Sequence, residues 1–294
     1  MPLDPGAGLT EQLVQLPDGR MLRTVVAGEG DGPLVVFEAG MSAPAASWVH
    51  TQRQVSASAR TLSYDRAGYG GSDPDPADRT LHRIVADLTA MLDAVGEQAP
   101  VVLVGHSWGG PVLRLFAHLH PERVAGLVFV DATLVEAMPE RNARLTATSF
   151  GVLTLLARLG ARRLLIKATV PHGLSPEISA ADVDILWRDY ACVSAMRAGR
   201  REARQILAAL PLLRRLQAEG TPDVPVAAVN GGRVDRGMAE LRSALNNATR
   251  ALMAASPRGR FVLVPEAGHL VPQECPDPVR DVILDVVEDA RVRA

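Results

Sequence analysis

A serine in a glycine-flanked turn has the clearest chemical potential of any side chain in this sequence. Ser107 stands in Gly105-His106-Ser107-Trp108-Gly109, after the apolar run 101–104 and before a helical apolar pattern. The pattern Gly-x-Ser-x-Gly between a strand and a helix forces a sharp, strained turn at the serine, and small neighbours make room for it. The sequence therefore predicts a nucleophile whose hydroxyl is held above the edge of a sheet.

A serine nucleophile needs a base, and His269 is the histidine best placed for that role. It follows the last predicted strand, 260–264, in a loop that can fold back over the carboxyl end of the sheet. A surface-loop histidine without a chemical role is the alternative interpretation. The other histidines lie in less suitable places: His50, His82, His106, His118, His120 and His172.

An imidazole base needs a carboxylate on its second nitrogen, which fixes the tautomer and stabilises the cation. Asp235 is predicted to be this acid, because it follows the predicted strand 224–229, beside the strand that delivers His269. Asp131, at the end of the predicted strand 126–130, is the main competitor, and its alternative role is to bind loop amides. The predicted catalytic residues are therefore Ser107, Asp235 and His269.

Alternating strands and helices must position these residues. Strands that alternate with helices give an α/β fold with a mostly parallel central sheet flanked by helices. The segment 133–223 shows only helical stretches, so we predict a helical cap there, inserted into a core of residues 1–132 and 224–294. The predicted strands are 11–16, 21–27, 33–38, 61–64, 101–105, 126–130, 224–229 and 260–264, and the predicted cap helices are 144–159, 160–168, 180–196 and 199–217.

Three sequence features together resemble a known superfamily. The chain order serine, aspartate, histidine is that of the α/β-hydrolases. The loop 65–72, DRAGYGGS, is similar to the D-x-x-G-x-G-x-S loop of that superfamily, and Gly268-His269 is similar to its Gly-His pair. The chain resembles the α/β-hydrolase superfamily over nearly its whole length, as a capped serine esterase-like member. The resemblance implies the α/β-hydrolase fold with a helical cap inserted after the sixth strand.

The resemblance also implies where a developing oxyanion would bind. One donor is the backbone N–H of Trp108, the residue after the nucleophile, and the other is the N–H of Met41. This chain carries Glu38-Ala39 where the family usually has a histidine before Gly40. That difference leaves the N–H of Met41 in place.

The predicted substrate site combines these two residues with an apolar part of the cap. Phe150 and Leu153, together with Met41 and Trp108, are predicted to contact the substrate. Packing of the same apolar segment inside the cap is the alternative interpretation. The site would then take its shape from other residues.

The serine at position 107 also favours one reaction over related ones. Haloalkane dehalogenases and epoxide hydrolases of this fold attack with an aspartate, so the resemblance and Ser107 together favour a carboxylic ester, or a lactone, of small to medium apolar character. Two alternatives stay open. One is an amide hydrolase of the prolyl-aminopeptidase type, which needs cap carboxylates to hold a substrate amine, and the other is a hydrolase-fold binding protein with slow turnover.

Composition bounds the remaining classes. The 294 residues carry a net charge of −2 and are 47% hydrophobic, which gives no reason to expect a nucleic-acid or membrane partner. No metal-ligand spacing or nucleotide-binding motif is present, so we expect no cofactor and a small molecule as partner. Cys192 and Cys275 form no disulfide framework, and no secretion signal is apparent, which predicts a cytoplasmic protein. The oligomeric state stays open.

Overall fold

A central eight-stranded sheet organises the protein. The computed structural model describes residues 8–235 and 237–292. Its middle strands are short, rich in valine and buried along their whole length, as strands covered on both faces must be. The strands are β1 Thr10–Gln15, β2 Met21–Ala27, β3 Val35–Glu38, β4 Thr61–Tyr64, β5 Val101–His106, β6 Val124–Val130, β7 Val226–Gly231 and β8 Gly259–Val264.

The order of the strands across the sheet is β1-β2-β4-β3-β5-β6-β7-β8. The pairs β1/β2 and β2/β4 are antiparallel, and all other neighbouring pairs are parallel. The parallel pairs confirm the predicted mostly parallel sheet. Because parallel strands end at the same edge, the residues that follow β3, β5, β6, β7 and β8 meet along one side of the molecule.

Helices cover both faces of this sheet. One apolar layer joins the sheet to α2, α3, α8 and α9, and a second joins it to α1 and α11. In the described part of the chain, no helix is long and apolar enough to cross a membrane. The helices are α1 Val49–Ser56, α2 Leu81–Ala94, α3 Gly109–Leu119, α4 Glu140–Arg158, α5 Arg162–Thr169, α6 Ala180–Tyr190, α7 Val193–Ala203, α8 Ile206–Glu219, α9 Ala239–Ala255, α10 Val271–Glu274 and α11 Pro276–Arg291.

The helices α4–α8 all lie between β6 and β7, as predicted for an insertion after the sixth strand. We call them the cap helices. The division of the chain into a core of 1–132 and 224–294 and a cap of 133–223 stays a prediction. Residues 1–7, 236 and 293–294 of the predicted core lie outside the described residues.

Charged side chains attach the cap helices to the core. Arg23 on β2 donates from Nη2 to Asp189 on α6 at 2.6 Å, and Arg53 on α1 contacts Asp182 on the same helix. Arg201 on α7 donates to backbone carbonyl oxygens of residues 75–77. Because Asp182 and Asp189 are buried, water screens these pairs less than it screens pairs on the surface.

Candidate active site

The turn between β5 and α3 holds Ser107 in a strained backbone conformation. Its φ is 53°, in the left-handed region that costs a residue with a side chain roughly 1–2 kcal/mol. A Cβ at position 109 would lie 2.5 Å from the carbonyl oxygen of Glu38, and one at position 105 would lie 2.9 Å from the carbonyl carbon of Gly109. The turn therefore requires both glycines of the sequence motif, which explains their spacing around the serine.

Ser107, His269 and Asp131 form one hydrogen-bonded chain. His269 Nε2 is 3.0 Å from Ser107 Oγ, and His269 Nδ1 is 2.6 Å from Asp131 Oδ2. Because an ionised carboxylate can only accept, the Nδ1–H donates to Asp131. Nε2 is then free to accept the proton of the serine hydroxyl, which is the arrangement of a nucleophile, its base and an orienting acid.

The strand register explains why Asp131 reaches this position. His106 at the end of β5 pairs with Val130 at the end of β6. The next residues, Ser107 and Asp131, therefore leave neighbouring strands at the same height. The backbone of Asp131 has φ 41°, so this residue also lies in a left-handed turn at the edge of the sheet.

The position of Asp131 corrects the sequence-based choice of Asp235 as the orienting acid. Asp235 comes after β7 has ended at Gly231, too far along the loop to lie level with the nucleophile. Its Oδ1 instead accepts hydrogen bonds from Arg233 at 3.2 Å and from His172 of the cap at 3.0 Å. The carboxylate bonded to His269 is therefore that of Asp131, the competing candidate in the sequence.

Asp131 is fully buried, and both of its oxygens are engaged. Oδ1 accepts from the backbone N–H of Gly231 at 3.0 Å and contacts Nη1 of Arg242 on α9. Burial alone would raise the pKa of Asp131, but the hydrogen bond from His269 and the charge of Arg242 hold that pKa below its usual value. The carboxylate is thus negatively charged at neutral pH, as an orienting acid must be.

A second histidine, His106, supports the loop that carries His269. Its Nε2–H donates to the carbonyl oxygen of His269 at 2.9 Å, and the two rings lie 4.9 Å apart. Burial, and to a lesser extent the neighbouring His269, lower the pKa of His106 to about 4. His106 is therefore neutral at neutral pH, so it holds the backbone of His269 without adding a second positive charge.

The loop after β3 forms a tight turn beside the nucleophile. Ala43 N–H donates to Gly40 O at 3.3 Å, and Ser42, at the third position of this turn, has φ 58°. A Cβ at position 40 would lie 3.2 Å from Ser107 Cβ, so the backbone passes very close to the serine. Met41, which the sequence predicts as an oxyanion donor, follows at this point of closest approach.

Arg66 sets the direction of the peptide that carries this donor. Its guanidinium donates from Nη2 to Gly40 O at 2.8 Å and from Nη1 to Ala39 O. In a trans peptide the N–H points opposite to the C=O, so the Met41 N–H points away from Arg66. This geometry fits the predicted role of Met41, and the roles of the Met41 and Trp108 N–H groups stay predictions.

Carboxylates from the core and the cap hold Arg66 in turn. Glu202 on α7 binds it with both oxygens, at 3.0 and 2.8 Å. Glu38 contacts Arg66 with one oxygen and accepts from the Tyr64 hydroxyl with the other. All of these side chains are buried, and burial raises the pKa of Glu38 although Arg66 opposes that shift. We call Glu38, Tyr64, Arg66 and Glu202 the Arg66 cluster.

Trp108, Met41 and Phe150, three of the predicted substrate contacts, lie against one apolar layer. Trp108 is only 2% exposed, whereas Met41 and Phe150 are half-buried. A Cβ at position 199 would come within 3.0 Å of Phe150 Cε1 and would collide with the Ser42 side chain. Phe150 of the cap therefore lies close to the turn that carries Met41.

Leu153, the fourth predicted contact, packs elsewhere. It lies against a small cluster of Tyr69, Ala195, Met196 and Ala198 that joins α4 to α7. That packing favours the alternative interpretation of this residue, as part of the inside of the cap. Direct contact with a substrate stays a prediction for Leu153 and for the other three residues.

Metal-binding and disulfide-forming side chains lie apart in the described part of the chain. There, no three or more His, Cys, Asp or Glu side chains converge in a way that could hold a metal ion. Cys192 and Cys275 are both free thiols.

Sequence reasoning identified Ser107 and His269 but missed Arg66, Glu202 and Arg242. In the sequence, Asp65-Arg66 is visible only as the opening pair of the 65–72 motif. Arg242 and Glu202 lie on helices, where a charged residue normally faces water, so no local pattern distinguishes them. Only the fold brings them to the site.

This chain is similar in sequence to known hydrolases. The model of the alpha/beta hydrolase family matches residues 35–282. Epoxide hydrolase A of Mycobacterium tuberculosis is 40% identical over 133 residues, which are 44% of this chain and 40% of that protein. Epoxide hydrolase 4 of Mus musculus is 32% identical over 155 residues, 50% of this chain and 42% of that protein. The matches span less than half the length of these curated relatives.

Solved structures share the fold along nearly the whole chain. Cfl2 of Burkholderia cenocepacia superposes with a TM-score of 0.76 at 24% identity and covers 97% of this chain and 98% of its own. An enol-lactonase from Burkholderia xenovorans superposes with a TM-score of 0.71 at 18% identity and covers 94% and 100%. At such identities the likeness shows the fold and leaves the substrate open.

Proposed function

The chain belongs to the alpha/beta hydrolase family, and we propose that within it this protein is a serine hydrolase that cleaves a carboxylic ester, or a lactone, of an apolar small to medium molecule. One observation carries the proposal. Ser107 Oγ lies 3.0 Å from Nε2 of His269, and Nδ1 of the same ring is hydrogen-bonded to the buried carboxylate of Asp131. A hydroxyl so activated attacks a carbonyl carbon.

The proposed reaction proceeds through an acyl-enzyme. Ser107 Oγ bonds to the ester carbonyl carbon while its proton passes to His269 Nε2, and the N–H groups of Met41 and Trp108 bind the oxygen that becomes negative. The C–O bond to the alcohol breaks, and the alcohol leaves with the proton from His269. Water then repeats the attack on the acyl carbon, gives its proton to His269, and releases the acid as Ser107 regains its hydrogen.

An epoxide is the second candidate substrate, because two relatives of this chain are named epoxide hydrolases. The identity of the nucleophile argues against it. A carboxylate that opens an epoxide forms an ester, which water can cleave at its carbonyl. A serine that opened one would form an ether, which has no carbonyl for water to attack, so a single turnover would leave Ser107 blocked.

Activity and labelling measured on the same preparations test the proposal. Wild type is expected to hydrolyse p-nitrophenyl butyrate, to leave styrene oxide unchanged, and to carry a fluorophosphonate label on Ser107 in peptide mass spectra. Ser107→Ala should lose the label and roughly a thousandfold or more of the esterase rate. Ser149→Ala, which removes an exposed serine on α4, is the matched control and should behave as wild type.

Other outcomes would assign a different function. Styrene oxide turnover that depends on Ser107 would replace the ester proposal with the epoxide one. Faster turnover of a prolyl p-nitroanilide than of the esters would favour an amide hydrolase. An unlabelled Ser107 with no turnover of any of these substrates would favour a binding protein.

A further inference from the structure

Arg242 stands behind the orienting carboxylate, and the proposed reaction gives it no task. It lies on α9, its side chain is only 11% exposed, and its Nη1 contacts Asp131 Oδ1 while also donating to Gly231 O at 3.2 Å. The carboxylate therefore lies between two partners, with Arg242 on one oxygen and His269 on the other. Arg242 carries a fixed positive charge, whereas His269 is positive only while its ring holds a second proton.

The positive charges of Arg242 and of protonated His269 both interact with the single negative charge of Asp131. A carboxylate beside an imidazole stabilises the protonated ring, which makes the imidazole a stronger base but also keeps it protonated, and inactive, to a higher pH. A fixed cation on the second oxygen opposes both effects. It offsets part of the carboxylate's charge and repels the proton on the ring.

We infer that Arg242 is a positioning residue that weakens the hold of Asp131 on protonated His269 and so extends the activity of the site toward lower pH. The inference rests on the proposed function, because it concerns the base of that reaction. The side-chain contacts of Arg242 are with Asp131 and with the carbonyl oxygen of Gly231, away from Ser107. It acts through Asp131 alone.

The other charged groups around the site do not replace this effect. His106 packs against His269 but is neutral, since burial lowers its pKa to about 4. Asp235 and Glu274, beside the 268–269 backbone, are each paired with Arg233.

Two more charged side chains belong to elements near α9. Glu136, on the turn before α4, is exposed, and Arg260 on β8 is 42% exposed and paired with Asp285. Water screens both of these charges. Arg242 is the cation in contact with the buried oxygen of Asp131.

The test is the pH dependence of Ser107 labelling and of kcat/KM for p-nitrophenyl butyrate. Arg242→Gln is expected to move the midpoint of the acidic limb upward by about one pH unit, so that the rate well below the midpoint falls about tenfold relative to the plateau. Arg242→Lys, which keeps the cation, should keep the wild-type midpoint. Arg250→Gln removes a positive charge from the exposed side of the same helix and is the matched control.

The outcomes separate this inference from the proposed function. A wild-type Ser107 that takes no label at any pH would overturn both. A labelled wild type with the same acid midpoint in Arg242→Gln would overturn the inference alone, because a merely structural role changes rates without moving the midpoint. Arg242→Met, with a long apolar stem, is the second neutral variant should the glutamine variant fail to fold.

Discussion

Among the carboxylates beside the loop of His269, Asp131 and Asp235 differ most in their surroundings, and this difference determines how strongly each can act on the imidazole. Asp131 is fully buried and bonded to the imidazole, whereas Asp235 is about one-third exposed and bonded to Arg233 and His172. A charge removed from water acts strongly on its neighbour, and a partly hydrated one acts weakly. The two side chains therefore differ in function by location rather than by chemistry.

Substitution of each carboxylate by its amide separates these roles. Asp131→Asn is expected to lower kcat for p-nitrophenyl butyrate by roughly 10³- to 10⁴-fold, because the amide cannot hold His269 in the required tautomer. Asp235→Asn should change kcat less than about threefold. Steady-state kinetics at the plateau of the pH profile measure both. Equal losses in the two variants would contradict the assignment of Asp131.

Ser107 and His269 could be predicted from the sequence because short-range rules fix them. The serine motif dictates its own turn, and the histidine comes directly after the last strand. The acid could not be fixed in the same way, because two aspartates follow strands on the same edge. The register of β5 against β6 decides between them, and this long-range fact has no local pattern.

Among the elements, the turn after β3 has two of its carbonyl oxygens bound by one buried guanidinium. Arg66 holds the carbonyl oxygens of Ala39 and Gly40 and is itself held by Glu38 and Glu202. A buried guanidinium with this many acceptors fixes two peptide planes at once. We therefore expect the turn to be rigid before a substrate arrives.

Arg66→Lys tests this rigidity. A lysine ammonium cannot reproduce the planar set of donors of the guanidinium, so one of the two carbonyl oxygens, of Ala39 or of Gly40, loses its partner. The buried ion pair with Glu202 is weakened as well. We expect kcat for p-nitrophenyl butyrate to fall by roughly a hundredfold with KM little changed, since an oxyanion donor acts mainly in the transition state. Arg53→Lys, which weakens a cap contact away from the turn, should leave kcat close to wild type. A rise in KM with kcat unchanged would contradict the prediction.

The strands were predictable to within two residues, but among the cap helices only α5, predicted at 160–168, was. Buried valine runs bounded by turn residues mark the strands clearly. The predicted helix 199–217 is broken between α7 and α8, and the predicted helix 180–196 is broken between α6 and α7. Neither break carries a glycine or a proline, and Pro211 instead lies inside α8. Packing of the cap against the core, which no local pattern encodes, sets these boundaries.

At the scale of the whole molecule, buried ion pairs hold the cap helices against the core. Asp189 on α6 binds Arg23 on β2 and also its neighbour Arg188. Burial by itself would raise the pKa of Asp189, but these two arginines hold it below its usual value. A carboxyl whose folded pKa is lowered stabilises the fold above its unfolded pKa and loses that contribution as the pH falls.

Asp189→Asn should therefore destabilise the protein in a pH-dependent way. We expect the free energy of unfolding at pH 7 to fall by about 2 kcal/mol, because Arg23 loses one of its buried counterions. The gap between variant and wild type should start to narrow as the pH falls through about 4, where Asp189 of the unfolded chain takes up a proton, and should close only at lower pH, where the folded carboxyl does so too. Urea unfolding at several pH values measures this gap. Asp184→Asn, on the exposed side of α6, is the control, and a gap independent of pH would contradict the prediction.

In the described part of the chain, the non-glycine residues with positive φ are Ser42, Ser107 and Asp131, and all three surround the proposed site. Each of these backbone positions would be relaxed by a glycine. A glycine at position 107 or 131 would relieve this strain but would also remove the hydroxyl or the carboxylate of the proposed site. Stability and the proposed activity therefore place opposite demands on these two positions.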